Sequence, residues 1–302
     1  MLAKSTIGNK IIFFETNHDL GLRFSYLWCA SDRFGWIRRA SIENLGGCEV
    51  EIEVLDGLQN ILPDGTNRIT QNVYSTLVDA YKRTELVEGS SLILFRMEAI
   101  MVDKAEPSES LKCNTVLTVG LPDAEFLTSS RHLDLYRRGE PVDAEPESKG
   151  VSGACFALAV FPLEADASKV WYQVADLEQD AVQVCDTLAF AEKPDAAEQL
   201  EQAMKDATDA LFDIVRQNDG VQFTGDEYND ARHFANTLFN TMRGGYYLDD
   251  YNIEMDAFAK HVKHFNKSVY QHHKDFLTRN PAKINFSDSV SIIKKDVFTR
   301  DE

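Results

Sequence analysis

The feature that most constrains this chain of 302 residues is a change in the spacing of its apolar residues near residue 176. Before that point, apolar residues alternate with polar ones or form short β-branched and aromatic runs, and both patterns indicate β-strands. After it, apolar residues recur every three to four positions, which indicates amphipathic helices. The sequence therefore predicts an α+β protein, with a β-sandwich domain at residues 1–190 and a helical segment at residues 191–302.

The alternation is clearest at Cys48–Val54, where apolar residues face one way and three glutamates face the other. Because the strands follow one another without long intervening helices, we expect antiparallel sheets packed as a sandwich. A short helix is predicted over Glu125–Arg138. The predicted strands are Ile11–Glu15, Leu22–Ala30, Trp36–Asn44, Cys48–Val54, Val73–Lys82, Leu92–Met101, Leu111–Val119, Cys155–Phe161 and Lys169–Asp176.

Four stretches after residue 180 carry apolar stripes at helical spacing, with helix-ending residues such as Gly or Pro nearby. The predicted helices are Ala181–Phe190, Asp195–Asn218, Asp226–Arg243 and Met255–Arg279. In the last of these, Phe258, Val262, Phe265 and Phe276 lie on one side. We expect this stripe to stay partly exposed and to promote self-association into a homodimer.

The acidic composition argues against some classes of partner. The chain has 31 Lys and Arg residues against 49 Asp and Glu residues, a formal net charge of −18. Since the resulting potential repels phosphate backbones and anionic lipid headgroups, we expect neither nucleic acid nor a membrane as a partner. No apolar run approaches the ~20 residues that cross a bilayer, and the start lacks the apolar region of a signal peptide. We therefore expect a cytoplasmic protein.

The sequence has no recognisable motif for covalent catalysis or phosphate binding. Its five cysteines are widely spaced, and those in strand-like runs, such as Cys48 and Cys155, are expected to be buried and unreactive. His261, His264 and His272 follow helical spacing, but no further ligands complete a metal site. We expect no catalytic residue, no metal and no cofactor.

A loop expected after the glutamate-bearing strand carries side chains suited to sugar hydroxyls. Asp56, Gln59 and Asn60 combine hydrogen-bond donors and acceptors, although such side chains also close their own turns. Trp36 follows Gly35 at a strand start and is the best candidate to stack on a sugar ring, although aromatic residues in strands mostly belong to the core. The candidate sugar-binding residues are Trp36, Asp56, Gln59 and Asn60.

Four segments together resemble the N-terminal part of cellobiose and chitobiose phosphorylases. They are residues 34–39 (FGWIRR), 54–63 (VLDGLQNILP), 77–83 (LVDAYKR) and 238–245 (LFNTMRGG). The resemblance implies a galactose-mutarotase-like antiparallel β-supersandwich, then linker helices, then an (α/α)6 barrel with the catalytic acid and the phosphate site. Since residue 302 falls roughly where such a barrel would begin, the resemblance implies a front half that lacks those catalytic residues.

The sequence is compatible with three functions. The first is a non-catalytic module of a carbohydrate-active protein, in which the sandwich shapes one side of a sugar site and the helices dock the catalytic (α/α)6 domain. The residues expected to dock that domain are Arg243, Tyr246, Tyr247 and Phe265. The second function is a mutarotase-like sugar epimerase, which needs a histidine and a carboxylate; His132 and Glu98 are the candidates. The third is a protein-interaction or oligomerisation module.

Overall fold

A computed structural model describes residues 1–99, 110–244, 252–279 and 282–285. Its strands are β1 (Leu2–Lys4), β2 (Lys10–Asn17), β3 (Leu22–Ser31), β4 (Gly35–Asn44), β5 (Val50–Ile61), β6 (Lys82–Leu86), β7 (Leu92–Met97), β8 (Cys113–Val119), β9 (Glu125–Ser129), β10 (Glu147–Lys149), β11 (Gly153–Leu163), β12 (Ser168–Gln179), β13 (Asn252–Glu254) and β14 (Lys283–Asn285). Its helices are α1 (Arg68–Val73), α2 (Ser75–Tyr81), α3 (Leu133–Arg137), α4 (Ala181–Ala191), α5 (Ala196–Gln217), α6 (Glu227–Met242), α7 (Met255–Phe265), α8 (Lys267–His272) and α9 (Lys274–Arg279). The chain divides into two compact units, residues 1–208 and 209–302, so the first unit extends past the boundary expected at residue 190.

The first unit is built on two antiparallel sheets that pack face to face. The large sheet has the strand order β1-β2-β3-β4-β12-β8-β7-β6-β10, and the small sheet has the order β5-β11-β9. Between them lies an apolar core that includes Ala40, Phe95 and Trp171 from the large sheet and Ile52 and Ala157 from the small one. The prediction of antiparallel strands packed as a sandwich is confirmed.

Helices cover the opposite face of the large sheet. A second core joins Ile37 and Leu117 of the sheet to Phe190 of α4 and to Leu200 and Met204 of α5. These residues alternate along their strands with those that face the small sheet, since successive side chains point to opposite faces. The large sheet is therefore the middle layer of three, and its two faces offer two separate places for a site.

In the described residues of the second unit, helices predominate, and two short strands that flank α7, α8 and α9, β13 and β14, pair antiparallel. Helix α6 begins at the cap residue Asp226, whose side chain accepts hydrogen bonds from the first-turn backbone. Phe234 of this helix stacks on Phe212 with ring centroids 6.1 Å apart. Further along, Met255, Ala259, Leu277 and Ile284 form a small core of their own.

The prediction of a strand at Val73–Lys82 is wrong. The structure has two short helices here, α1 and α2, and β6 begins only at Lys82. The Asn67 side chain begins the first helix by accepting a hydrogen bond from the Thr70 amide at 2.8 Å. The prediction of a helix over Glu125–Arg138 is partly wrong, because strand β9 occupies the first part of this stretch and α3 occupies only the last part.

The prediction of a single helix over Met255–Arg279 is also wrong, because the chain forms three short helices there. The first break is at Asn266, whose backbone is extended and whose side chain caps the next helix through the Val269 amide. As a result, most of the predicted stripe packs around the small core of the second unit, and Phe265 stays 73% exposed.

Two of the cysteines differ in their surroundings. Cys48, expected to be buried in a strand, is exposed and precedes β5. Cys155 is buried as expected, and burial raises the pKa of its thiol to about 12.

Among the described residues, no helix is both long and apolar enough to cross a membrane.

Candidate functional site

The polar centre of the sandwich is an ion pair between its two sheets. Arg38 lies on β4 of the large sheet, and Asp56 lies on β5 of the small sheet. The two guanidinium nitrogens of Arg38 donate to the two carboxylate oxygens of Asp56 at 2.6 and 2.7 Å. Both side chains are more than 90% buried, and the paired, parallel hydrogen bonds are the geometry that guanidinium and carboxylate groups favour.

Three further side chains complete this polar centre. The indole nitrogen of Trp171 donates to Asp56 Oδ2 at 2.7 Å. Gln173 accepts from Arg38 at 3.2 Å, and the guanidinium lies 4.5 Å from the centre of the Tyr26 ring. The Asp56 carboxylate therefore already has three donors inside the protein.

The expectation that Asp56 lies in a loop is thus corrected. Strand β5 continues to Ile61, so the predicted loop is a strand with an inward-facing carboxylate. Asp56 is 8% exposed, and a ligand that bound it directly would have to displace Arg38 or Trp171. Such displacement is costly because it leaves a buried charge without its partner.

Trp36 lies two residues before Arg38 on β4, so it points to the same side of the large sheet. Most side chains on that side are covered by the small sheet, yet Trp36 is 53% exposed. Trp28 on β3 lies opposite Arg38, and Ile11 on β2 lies opposite Trp28, so their side chains share this face. We call Ile11, Trp28 and Trp36 the aromatic platform.

Gln59 and Asn60 are both exposed, near the end of β5. The pairing with β11 shifts just here, and Asn60 takes a left-handed backbone conformation with φ of 58°. Asn tolerates that conformation better than most residues do, so the role of Asn60 in the fold is to form this irregularity.

The end of β5 lies at the same end of the sandwich as Trp36. The Asn114 side chain of β8 donates to the Leu62 carbonyl at 2.8 Å, and Val116, two residues along β8, lies in one row with Ala175 and Trp36. The structure therefore brings Gln59 and Asn60 to the end of the sandwich that carries Trp36, on the facing sheet. Asp56, in contrast to Gln59 and Asn60, is buried in the sandwich.

The histidine and carboxylate considered for epimerase chemistry have different partners. His132 Nε2 lies 3.9 Å from Glu145 Oε1, whereas Glu98 lies within 4.0 Å of Arg83 and Lys149. No hydrogen bond or ion pair joins His132 to Glu98 within the described ranges. The geometry does not place this pair in one site.

The residues expected to dock a further domain are only partly described. Arg243 is exposed and stacks over the Phe239 ring at 5.2 Å. Phe265 is exposed, with the rings of His261 and His264 at 4.6 and 5.0 Å. Tyr246 and Tyr247 lie outside the described residues. In the part of the chain that the structure describes, no three His, Cys, Asp or Glu side chains are grouped to hold a metal ion.

The described part of the chain is thus an antiparallel β-sandwich with helices on its outer face and a second, helical unit. No protein-family model matches the chain, and no curated protein matches it. Among solved structures, it is similar to the crystal structure of a galactose mutarotase-like protein from Clostridium acetobutylicum, at 12% identity and a TM-score of 0.23. The match covers 56% of this chain and 62% of that chain, less than two thirds of the other protein's length.

Sequence reasoning alone missed Arg38 and Ile11. Arg38 lies opposite Trp28 on the neighbouring strand and pairs with the buried carboxylate, and Ile11 lies opposite Trp28 on β2. The sequence does contain a signal for Arg38, namely a charged residue at an inward position of a strand whose alternate residues are apolar. Such a residue needs a buried partner of opposite charge.

Proposed function

We propose that this chain is a non-catalytic, galactose-mutarotase-like module of a carbohydrate-active protein, and that the aromatic platform stacks on a sugar ring. The observation that carries the proposal is the exposure of Trp36. Its side chain lies on the core-facing side of the large sheet, is 53% exposed, and is only two residues from an arginine whose side chain is 5% exposed. A large apolar ring left open beside a rigid, buried centre is suited to binding a flat apolar surface.

The surroundings of the platform favour a sugar as that surface. Sugar rings present C–H faces to aromatic rings and hydroxyls to polar groups at the rim. Gln59 and Asn60 supply amide donors and acceptors at the same end of the sandwich. The net charge of −18 favours a neutral ligand over an anionic one.

The ion pairs of His132 and Glu98 bear on whether this chain is catalytic. His132 and Glu98 are engaged with different partners, so the proposal assigns no epimerase chemistry to them. It places catalysis in an (α/α)6 domain that docks on the helical unit. The exposed Arg243 and Phe265 support such docking, since an exposed phenylalanine is suited to burial against a partner.

Calorimetric titration of the purified chain with cellobiose tests the sugar proposal. We expect saturable binding that Trp36→Ala weakens at least tenfold, because the ring loses its stacking surface. The matched control is Phe223→Ala, which removes an aromatic ring that is 91% exposed in the second unit. Equal affinity in Trp36→Ala and the unaltered chain would remove the basis of the proposal.

Self-association is a second candidate function, favoured by the 73% exposure of Phe265. If two copies bury this ring, Phe265→Asp should turn a dimer into a monomer while the sandwich keeps its unfolding transition. Sedimentation equilibrium at micromolar concentration distinguishes the two states. A chain that is monomeric before the substitution contradicts the candidate.

A further inference from the structure

A cleft lies between helix α4 and the outer face of the large sheet, away from the aromatic platform. Its volume is about 240 Å³, below the 300–1,000 Å³ range of pockets for drug-sized ligands. Its floor includes Phe34, Thr115 and Gln179, and its rim includes Arg33, Asp176 and Asp186. All of these residues belong to the first compact unit.

The floor of the cleft carries polar atoms that the protein does not use. Thr115 is 2% exposed, and its hydroxyl makes no hydrogen bond to any residue in the described ranges. Gln179 is 7% exposed; its amide nitrogen donates to the Leu177 carbonyl at 2.7 Å, and its side-chain oxygen has no partner among the described residues. Both atoms are open to solvent in the cleft and are not sealed in the core. A hydroxyl group can donate to the Gln179 oxygen and can pair with the Thr115 hydroxyl, so the floor is suited to a ligand with hydroxyl groups.

The rim of the cleft carries opposite charges that do not pair with one another. The Arg33 guanidinium lies 4.5 Å from the centre of the Phe34 ring and 5.7 Å from that of Phe190. Within the described ranges it forms no ion pair, although Asp176 and Asp186 line the same cleft. Asp176 accepts one hydrogen bond, from the Leu177 amide at 2.8 Å, and Asp186 accepts none from the residues described. The donors of Arg33 and the acceptors of both carboxylates are therefore available to a ligand.

We propose that this cleft binds a small, neutral, polyhydroxylated molecule of the size of a monosaccharide. Each hydroxyl both donates and accepts a hydrogen bond, so one ligand can satisfy the Asp186 carboxylate, the Arg33 guanidinium and the Thr115 hydroxyl together. Two carboxylates against one guanidinium disfavour an anionic ligand. The buried Phe34 ring provides an apolar floor for the C–H side of the ligand. The site is on the opposite face of the large sheet from the aromatic platform, and it does not depend on the function proposed above.

The experiment is a titration of the full chain with D-glucose, followed by calorimetry and by two-dimensional amide NMR. We expect saturable binding with shifts in the amides of α4 and β8. Thr115→Val removes the hydroxyl at nearly constant volume, and Asp186→Asn removes a charge from an exposed rim position, so each should weaken binding at least tenfold. Asp143→Asn changes an exposed carboxylate outside the cleft and should leave the affinity unchanged.

The amides that shift also separate this site from the platform. Glucose in the cleft shifts amides of α4 and β8, whereas a sugar on the platform shifts the indole signals of Trp28 and Trp36. The proposal is overturned if glucose does not bind saturably, if the amides of α4 and β8 stay in place, or if Asp186→Asn leaves the affinity unchanged. Asp186 is exposed, so its variant is expected to fold even if Thr115→Val does not.

Discussion

Arg38 and Asp56 join the two sheets of the sandwich by a pair of parallel hydrogen bonds of 2.6 and 2.7 Å. The residues are 18 positions apart in sequence and lie on strands of different sheets. Because Trp171 also donates to Asp56 at 2.7 Å, the carboxylate fixes one strand of the small sheet against two strands of the large one. Trp28 of the aromatic platform lies opposite Arg38 on the neighbouring strand.

Removal of one member of the pair should destabilise the sandwich strongly. We expect Asp56→Ala to lower the free energy of unfolding by about 3–5 kcal/mol, because the Arg38 charge stays buried without its partner. Urea denaturation followed by tryptophan fluorescence measures this change. The double variant Arg38→Met and Asp56→Leu should cost less than the sum of its two single variants. A loss below about 1 kcal/mol for Asp56→Ala would contradict the buried, paired geometry.

Much of the sandwich could be predicted from local pattern, and its exceptions have local causes. Cys48–Val54 alternates apolar and acidic residues, and a strand does lie there, from Val50 onward. The pattern could not show that β5 continues to Ile61, because the partners of Asp56 are distant in sequence. At Val73–Lys82, the β-branched residues suggested a strand, but the Asn67 cap starts a helical turn just before.

The first turns of α5 should contribute to the stability of the sandwich, because Leu200 is fully buried against the large sheet. We expect Leu200→Ala to cost about 2–5 kcal/mol through lost burial and a residual cavity. The matched control is Leu111→Ala, at a leucine that is 77% exposed, which should change stability by about 0.5 kcal/mol or less. Thermal unfolding of both variants measures the difference. Equal midpoints would mean that the sheet does not need this helix.

Gly57 allows β5 and β11 to approach closely. A Cβ atom placed there would lie 2.0 Å from the Cys155 carbonyl oxygen, which is backbone and cannot rotate away. We expect Gly57→Ala to destabilise the sandwich by at least about 1–3 kcal/mol, as overpacked cores are. Gly47→Ala is the matched control, since a Cβ there meets no atom within 4 Å. Chemical denaturation should show a lower midpoint for the first variant alone.

Alkaline pH should weaken the attachment of α5 to the large sheet. Burial, together with a hydrogen bond to the Glu201 carboxylate and its charge, raises the pKa of Tyr172 from 10.0 to about 12. The folded protein therefore keeps this proton at pH values where the unfolded chain has lost it, and stability falls as the pH rises from about 10 to about 12.

Tyr172→Phe tests this effect. The Tyr172 hydroxyl donates to Glu201 at 2.7 Å, and the phenylalanine variant has no proton to lose. Unfolding free energies measured from pH 8 to pH 12 should fall less steeply in the variant than in the unaltered chain. Burial also raises the pKa of Cys113 to about 11 and of Cys155 to about 12, so some alkaline loss remains in both proteins. Identical slopes above pH 10 would contradict the account.

The candidate site was less predictable than the fold. Trp36 could be singled out because it follows Gly35 at a strand start. Its neighbours could not, because the platform depends on the register that sets Trp28 opposite Arg38 and Ile11 opposite Trp28. A shift of one residue would turn each of these side chains to the other face, and the spacing of residues within a single strand does not specify that register.

The most direct test of the proposed function uses the indole N–H signals of the three tryptophans, Trp28, Trp36 and Trp171. Two of them belong to the aromatic platform, whereas Trp171 is fully buried and donates its indole hydrogen to Asp56. We predict that cellobiose added to ¹⁵N-labelled protein shifts the Trp36 signal most, the Trp28 signal less, and the Trp171 signal not at all. Saturable cellobiose binding that leaves the Trp36 signal in place would contradict it.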